Sequence, residues 1–211
     1  MPETTASTFF SEEERRRIEQ AVRQVEERTS GEIVPLIVDA SYDYPRAELI
    51  GAGCFSLASA LFACWLIASE SIWIFLPFWA AFFAAFWLLI RRVPALKRRL
   101  IPPAEIDAEV EEKALVSFLQ YGLHQTRDRT GVLILISLFE RRVHILADKG
   151  INEKVPPGTW DELVHSITAG IRGGTACQAL CDAIHRCGEL LEKDFPRRED
   201  DADELPNLIV E

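Results

Sequence analysis

Carboxylate side chains at the predicted ends of strands and helices are the groups in this sequence that could hold a metal ion. Asp39 and Asp43 follow the first predicted strand, Glu140 lies in a predicted hairpin turn, Asp148 follows the third strand and Asp161 begins a helix. Calcium and magnesium prefer carboxylate ligands, and open parallel sheets bind ligands beside the carboxyl ends of their strands. This favours Asp39 and Asp43, while helix capping is the alternative for Asp161 and solvated loop charge for the others.

The short motifs that build phosphate, dinucleotide or zinc sites are missing from the sequence. GxxxxGK[ST], GxGxxG, HExxH and CxxC do not occur. Ser137 and Ser166 have no base that the sequence assigns to them. Nucleophilic catalysis is therefore not indicated.

Cys177, Cys181 and His185 recur at four-residue spacing, which would place them on one side of a helix. Ligands at this spacing can share a metal ion. The cysteines also belong to a continuous apolar stripe, so small buried thiols are the favoured interpretation. Five cysteines, an odd number, indicate a reducing compartment rather than a disulfide framework.

The overall charge argues against one class of partner. Acidic residues outnumber basic ones by 33 to 23, for a formal net charge of -10. A protein that neutralises phosphates needs the opposite balance, so we expect no nucleic-acid partner.

An uncharged block interrupts the chain. Residues 49–68 and 72–90 contain no charged side chain, and Glu70 lies between them. Each run is long enough to cross a bilayer core of about 30 Å as a helix. The sequence therefore predicts a transmembrane helical hairpin over residues 49–90, with the lipid bilayer as a partner.

Basic residues follow the second apolar run and set the expected orientation. They are Arg91, Arg92, Lys97, Arg98 and Arg99. Such residues stay on the cytoplasmic side and can also hold anionic lipid headgroups. We expect a two-pass protein of the bacterial inner (plasma) membrane with both termini in the cytoplasm.

Small residues at or near four-residue spacing mark the first apolar run, namely Gly51, Gly53, Ser56 and Ala60. This pattern favours close helix packing, either between the two helices of one chain or between two chains. A homo-oligomer therefore remains an open alternative.

The soluble pieces show the periodicity of an α/β domain. Helices are predicted over residues 12–28, 104–127, 159–172 and 175–194, and strands over 32–38, 131–139 and 142–147. Pro35 lacks a ladder donor and suggests that the first strand lies at an edge or a bulge. Neither piece is large enough to fold alone, so residues 9–48 and 91–196 are expected to form one discontinuous domain. Residues 197–211 are expected to be a loose acidic tail.

Several segments together resemble the TPM-domain family. They are TSGEIV at 29–34, TGVLI at 130–134, LFERRV at 138–143, Gly150-Ile151 and Trp160-Asp161. The resemblance is to the bacterial membrane-anchored subgroup with a transmembrane hairpin inserted in the domain. It implies a three-layer α/β/α sandwich with a small mixed sheet, interrupted by the two-helix hairpin.

The resemblance and the predicted membrane hairpin together lead to two hypotheses on function. A membrane-anchored, cytoplasm-facing interaction or assembly module is expected, with membrane proteins as partners. The alternative is a weak metal-dependent acid phosphatase, because some relatives bind a divalent metal such as calcium or magnesium. In that alternative Asp161 is the family's acidic residue, although Ala147-Asp148-Lys149 departs from the usual glycine-rich loop.

Overall fold

The computed structural model describes residues 5–68, 70–126, 129–197 and 205–211. The chain forms two compact units, one of residues 1–41 and 107–211 and the other of residues 42–106. The first unit is thus discontinuous, because the second is inserted between its two pieces. The inserted unit extends beyond the predicted hairpin on both sides.

The first unit combines a four-stranded sheet with helices. Its elements in chain order are α1 (Ala6–Phe9), α2 (Glu12–Glu26) and β1 (Glu32–Val38), then, after the insertion, the greater part of a helix numbered α6 (Pro103–Gln120), β2 (Gly131–Ser137), β3 (Arg142–Ala147), α7 (Lys149–Asn152), α8 (Thr159–Arg172), α9 (Ala176–Asp194) and β4 (Ile209–Val210). The strand order is β3-β2-β1-β4. β1 and β2 run parallel in the register Val38↔Ser137, and β2 and β3 form the expected antiparallel hairpin.

Two apolar clusters cover the two faces of the sheet. Alternating residues of the strands, such as Ile33 and Ile134, pack against α2, α8 and α9. The other residues, such as Val34 and Leu133, pack against α6. Both faces are therefore buried, and the α/β sandwich predicted from the sequence is confirmed.

Ser11 shows how the sequence positions the first long helix. Its Oγ accepts a hydrogen bond from Glu14 N–H at 3.3 Å, and Glu14 Oε2 accepts one from Ser11 N–H at 2.9 Å. This capping box satisfies amides that an α-helix leaves without partners at its start. The apolar residues Ile18, Val22 and Val25 then face the core.

The helix predicted over residues 104–127 is shorter than expected. α6 ends at Gln120, and Gly122 adopts a left-handed conformation with φ of 76°. Glycine takes this conformation without the steric cost that a Cβ atom brings, so it ends the helix and allows a 3₁₀ turn at Leu123–Gln125. Arg127, the predicted last residue, lies outside the described residues.

The expectation for residues 197–211 also needs correction. Residues 198–204 lie outside the described residues, but Ile209–Val210 pair with β1 as strand β4, opposite Leu36 and Ile37. β1 is therefore an inner strand at its carboxyl end. The apolar residues 208–210 are partly buried against the sheet, and the acidic composition of the tail obscured them.

Pro35 does not disturb the sheet, because β4 pairs with Leu36 and Ile37 and not with Pro35. The carbonyl of Ile37 points towards β4, where it accepts a hydrogen bond from Glu211 N–H. Backbone groups two residues apart in a strand point the same way, so the ring nitrogen of Pro35 also faces the β4 side. The missing donor therefore does not interrupt the pairing with β2.

The second unit is a helical hairpin followed by a short helix. It comprises α3 (Pro45–Leu66), α4 (Ile72–Arg92), α5 (Pro94–Arg99) and the first residues of α6. Ala52, Ser56 and Ala60 are fully buried at four-residue spacing along α3, where that helix packs on α4. Ser56 and Ala60 of the predicted small-residue pattern thus pack within one chain, whereas a Cβ at Gly53 would meet open space, and a homo-oligomer stays a prediction.

Candidate functional site

The carboxyl ends of β1 and β2 bring together four polar residues that we name the carboxyl-end cluster: Asp39, Ser41, Ser137 and Glu140. Asp39 follows β1 directly, Ser137 is the last residue of β2, and Glu140 lies in the turn to β3. Arg141 closes that turn in a left-handed conformation with φ of 53°. The parallel register of β1 and β2 therefore determines which residues meet here.

Hydrogen bonds join three members of the carboxyl-end cluster. Glu140 Oε1 accepts from Ser41 N–H at 3.0 Å, and Glu140 Oε2 accepts from the hydroxyl of Ser137. Ser41 Oγ donates to Ser137 Oγ at 3.1 Å. Each carboxylate oxygen of Glu140 thus has a donor from a different segment of the chain.

Burial limits what this arrangement can do chemically. A carboxylate beside a serine hydroxyl could act as its base, but Ser137 and Glu140 are each only 1% exposed. No substrate can reach a hydroxyl enclosed in this way. The cluster therefore acts as a latch that ties the segment after β1 to the β2–β3 turn.

Asp39 lies at the rim of the cluster and is exposed. Its Oδ1 accepts a hydrogen bond from Ala6 N–H at the start of α1. Its own N–H donates to the carbonyl of Glu211 at 3.2 Å. Asp39 thus connects the first and last described segments of the chain at the end of the sheet.

Asp161 lies at the opposite end of the sheet from Asp39. The neighbouring Trp160 donates from Nε1 to Asn152 Oδ1 at 2.9 Å, and Asn152 donates to the carbonyl of Ala147 at 2.8 Å. Ala147 pairs with Val132 near the start of β2, whereas Asp39 lies beside the end of that strand. Seven strand residues span about 20 Å, so Asp39 and Asp161 cannot share one ion.

Asp148 also lies at the amino end of β2 and begins α7. Its Oδ1 accepts a hydrogen bond from Lys149 N–H at 2.6 Å, and its backbone N–H donates to the carbonyl of Gly131 at 2.9 Å. Its role in the structure is therefore to cap α7 and to fasten the end of β3.

The metal prediction gains no support from these positions. Within the described residues, no three His, Cys, Asp or Glu side chains are grouped so that they could hold a metal ion. Asp43 is exposed and belongs to the inserted unit. Metal binding by Asp39, Asp43 or Asp161 stays a prediction.

A second polar group, which the sequence did not point to, surrounds Glu211. Lys113 Nζ lies 2.7 Å from Glu211 Oε2, and the hydroxyl of Tyr121 donates to Glu211 Oε1. We name these three residues the Glu211 clamp. Lys113 and Tyr121 lie 98 and 90 positions before Glu211 in the sequence, so no local pattern could have revealed the contact.

The electrostatics of the Glu211 clamp follow from these contacts. The hydrogen bond from Lys113, followed by that from Tyr121, holds the pKa of Glu211 below its usual value. Burial, together with the neighbouring Glu211 carboxylate, raises the pKa of Tyr121 to about 12. The clamp therefore contains a charged carboxylate and a protonated phenol at neutral pH.

The cysteine interpretation agrees with the structure. Cys177, Cys181 and Cys187 are buried on the inner side of α9. Burial raises the pKa of each thiol, to about 12 for Cys181 and Cys187. They are core side chains, as the apolar stripe predicted.

The five predicted headgroup residues differ in exposure, and Arg98 is partly buried. Lys97 Nζ lies 2.6 Å from Glu48 Oε1, and both side chains are largely buried. Arg91, Arg92 and Arg99 are exposed, and the Arg91 guanidinium lies 5.5 Å from the centre of the Trp87 ring. Lys97 therefore joins α5 to α3 by an ion pair, and headgroup contacts by the five basic residues stay a prediction.

Residues 99–190 match the family model described as TPM domain. This part of the chain is similar to a TPM domain. The matched residues include α6, the β2–β3 hairpin and α8, which supply Lys113, Ser137 and Glu140. They leave out β1 and β4, so the similarity does not extend to the strand edge beside Asp39.

One solved structure supports the same fold. The NMR structure of the BA42 protein from the psychrophilic bacterium Bizionia argentinensis is similar to this chain, with a TM-score of 0.58 and 25% identity. The similarity covers 96% of this chain and 94% of that chain. No curated protein matches the chain.

Proposed function

We propose that this protein is a membrane-anchored TPM domain that faces the bacterial cytoplasm and serves as an interaction or assembly module. The observation that carries the proposal is the apolar surface of the inserted hairpin. α3 and α4 are long and apolar enough to cross a membrane, and none of the most apolar window of α4 is buried. A core helix of a soluble protein would be covered by other elements.

The exposed side chains of the hairpin support this reading. Trp65 is 73% exposed and Trp73 is 80% exposed, and both lie near the turn between the helices. A contiguous apolar surface of this kind is unfavourable in water, and indole rings favour the interface of a bilayer. The arginines lie at the other end of the hairpin, which favours that end as the cytoplasmic one.

The burial of Ser137 and Glu140 in the carboxyl-end cluster favours an interaction role over catalysis. Ser137 and Glu140 are enclosed, and Asp39 and Asp161 lie at opposite ends of the sheet. The phosphatase alternative therefore rests on family resemblance alone. An interaction module needs only an accessible surface held near the membrane.

Cysteine labelling tests the topology. Single cysteines replace exposed residues Ser7, Glu70 or Glu189 in a chain whose exposed or partly exposed Cys54 and Cys64 are changed to Ala. The buried native thiols remain, and their raised pKa values keep them unreactive. We expect a membrane-impermeant maleimide to label position 70 in intact spheroplasts and positions 7 and 189 only after permeabilisation.

The opposite labelling pattern, or labels at positions 7 and 189 on different sides, would contradict the proposal. A chain recovered in the soluble fraction after carbonate extraction would contradict the membrane anchor itself. Labelling of all three positions after permeabilisation is the control for reactivity.

A further inference from the structure

The outer edge of β1 is filled by residues 205–211 of the same chain. Ile209–Val210 run parallel to β1 opposite Leu36 and Ile37. Glu211 N–H donates to the carbonyl of Ile37 at 2.9 Å, and Asp39 N–H donates to the carbonyl of Glu211 at 3.2 Å. Backbone hydrogen bonds of this kind hold an extended chain without regard to its side chains.

Side chains of the same segment enter both faces of the sandwich. Leu205 and Ile209 pack on the cluster beneath α6, whereas Leu208 and Val210 pack on the cluster beneath α2 and α9. A strand ligand contributes alternate side chains to opposite faces, and each face can select for aliphatic residues.

The Glu211 clamp adds a requirement for charge. Lys113 provides an ammonium group 2.7 Å from Glu211 Oε2, and Tyr121 provides a hydroxyl donor to the other oxygen. A hydrogen bond to a charged group is stronger than one between neutral groups. The edge therefore recognises an acidic residue directly after two aliphatic strand residues.

The segment is held by few contacts compared with the rest of the sheet. β4 has two residues, whereas β1 and β2 pair over seven positions. Within the described residues, no strand pairs with residues 33–35 on the β4 side of β1. Short elements with few buried hydrogen bonds open at low free-energy cost.

We propose that the edge of β1, together with Lys113 and Tyr121, is a peptide-binding groove that residues 205–211 occupy as an internal ligand. The partner is an extended segment of another protein with two aliphatic residues followed by Glu or Asp. It binds by strand addition and displaces residues 205–211. This inference rests on the proposed interaction role and specifies its partner.

Binding of a labelled peptide to the full chain in detergent micelles tests the groove. The probe is a fluorescent peptide with the sequence DELPNLIVE, which reproduces residues 203–211. The Ile209→Asp/Val210→Asp chain should release its own segment and bind the probe about tenfold more tightly than the unchanged chain, because the groove is then empty. Lys113→Ala in that background should weaken binding about tenfold.

Glu112→Ala is the matched control, because Glu112 is exposed on α6 next to Lys113. Far-UV circular dichroism confirms that each variant is folded. A folded Ile209→Asp/Val210→Asp chain that does not bind the probe overturns the proposal. Equal binding by the unchanged chain, or binding insensitive to Lys113→Ala, overturns it as well.

A second experiment tests the groove if the Ile209→Asp/Val210→Asp chain fails to fold. A protease site inserted after the exposed residue Arg197 is cleaved in the folded chain, and exchange of the severed segment for the labelled peptide is followed by anisotropy. Exchange supports the groove, and permanent retention of the severed segment overturns it. Cysteine labelling is independent of this readout, so a failed groove with the expected topology leaves the membrane anchor intact.

Discussion

Ser41 N–H lies 3.0 Å from Glu140 Oε1, and this hydrogen bond joins the two pieces of the discontinuous domain across the inserted hairpin. The segment that leaves β1 is therefore fastened to the β2–β3 turn before the chain enters α3. Because Glu140 is buried and also accepts from Ser137, loss of its carboxylate affects both donors at once.

Glu140→Ala should destabilise the domain by about 2–3 kcal/mol, because it leaves the buried Ser137 hydroxyl and the partly buried Ser41 amide without their acceptor. Urea unfolding of the full chain in detergent, followed by circular dichroism, measures the change. Exposed Glu112→Ala is the control and should alter the stability by less than about 0.5 kcal/mol. Equal stability of the two variants would show that the latch is unimportant.

Gly188→Ala should destabilise the contact between α2 and α9 by about 1–3 kcal/mol, because an added Cβ would lie 2.6 Å from Val25 Cγ1. The same unfolding experiment measures this effect. Combining it with Val25→Ala should cost less than the sum of the two single changes, since the smaller side chain makes room. Additive costs would argue against direct crowding at this position.

Lys97→Ala should lower the stability of the inserted unit by about 2 kcal/mol, because it leaves the largely buried Glu48 carboxylate without its cation. Thermal unfolding in detergent, monitored by tryptophan fluorescence, reports on this unit. Glu48→Ala in the same chain should restore part of the loss. Arg99→Ala is the matched control at an exposed basic residue of α5, and a similar loss in that variant would contradict a specific role for Lys97.

Docking of residues 205–211 should depend on pH at both extremes. The pKa of Glu211 is lowered from 4.5 in the folded chain, so its contribution is complete above about 4.5 and is lost as the pH falls through the lowered value. The pKa of Tyr121 is raised from 10.0 to about 12, so its contribution is complete below 10 and is lost as the pH rises towards 12. Methyl NMR signals of Ile209 and Val210 report the docked state.

Glu211→Gln should remove the acidic transition, and Tyr121→Phe should reduce the alkaline one. An acidic transition that persists unchanged in Glu211→Gln would assign it to another carboxylate. Both variants should retain the signals of β1 and β2 at neutral pH, which shows that the sheet itself is intact.

Local patterns in the sequence were sufficient for much of this protein. The strands at 32–38 and 142–147 and the last helix agree with the structure to within one residue, because apolar periodicity and caps act over short stretches of chain. The parallel pairing of β1 with β2 also follows from the sequence, since two buried strands separated by a long crossover can pair in this way. The two apolar runs likewise identified the inserted hairpin.

Tertiary structure alone decided which distant side chains meet. The sequence indicated Asp39 and Asp161 by their type, but the strand register places them at opposite ends of the sheet. The latch of Ser41 and Glu140, the Glu211 clamp and the Lys97–Glu48 ion pair each join residues that are 49 or more positions apart. Periodicity describes which way a residue faces within its own element, whereas such pairs depend on how separate elements align, and only the folded chain determines that alignment.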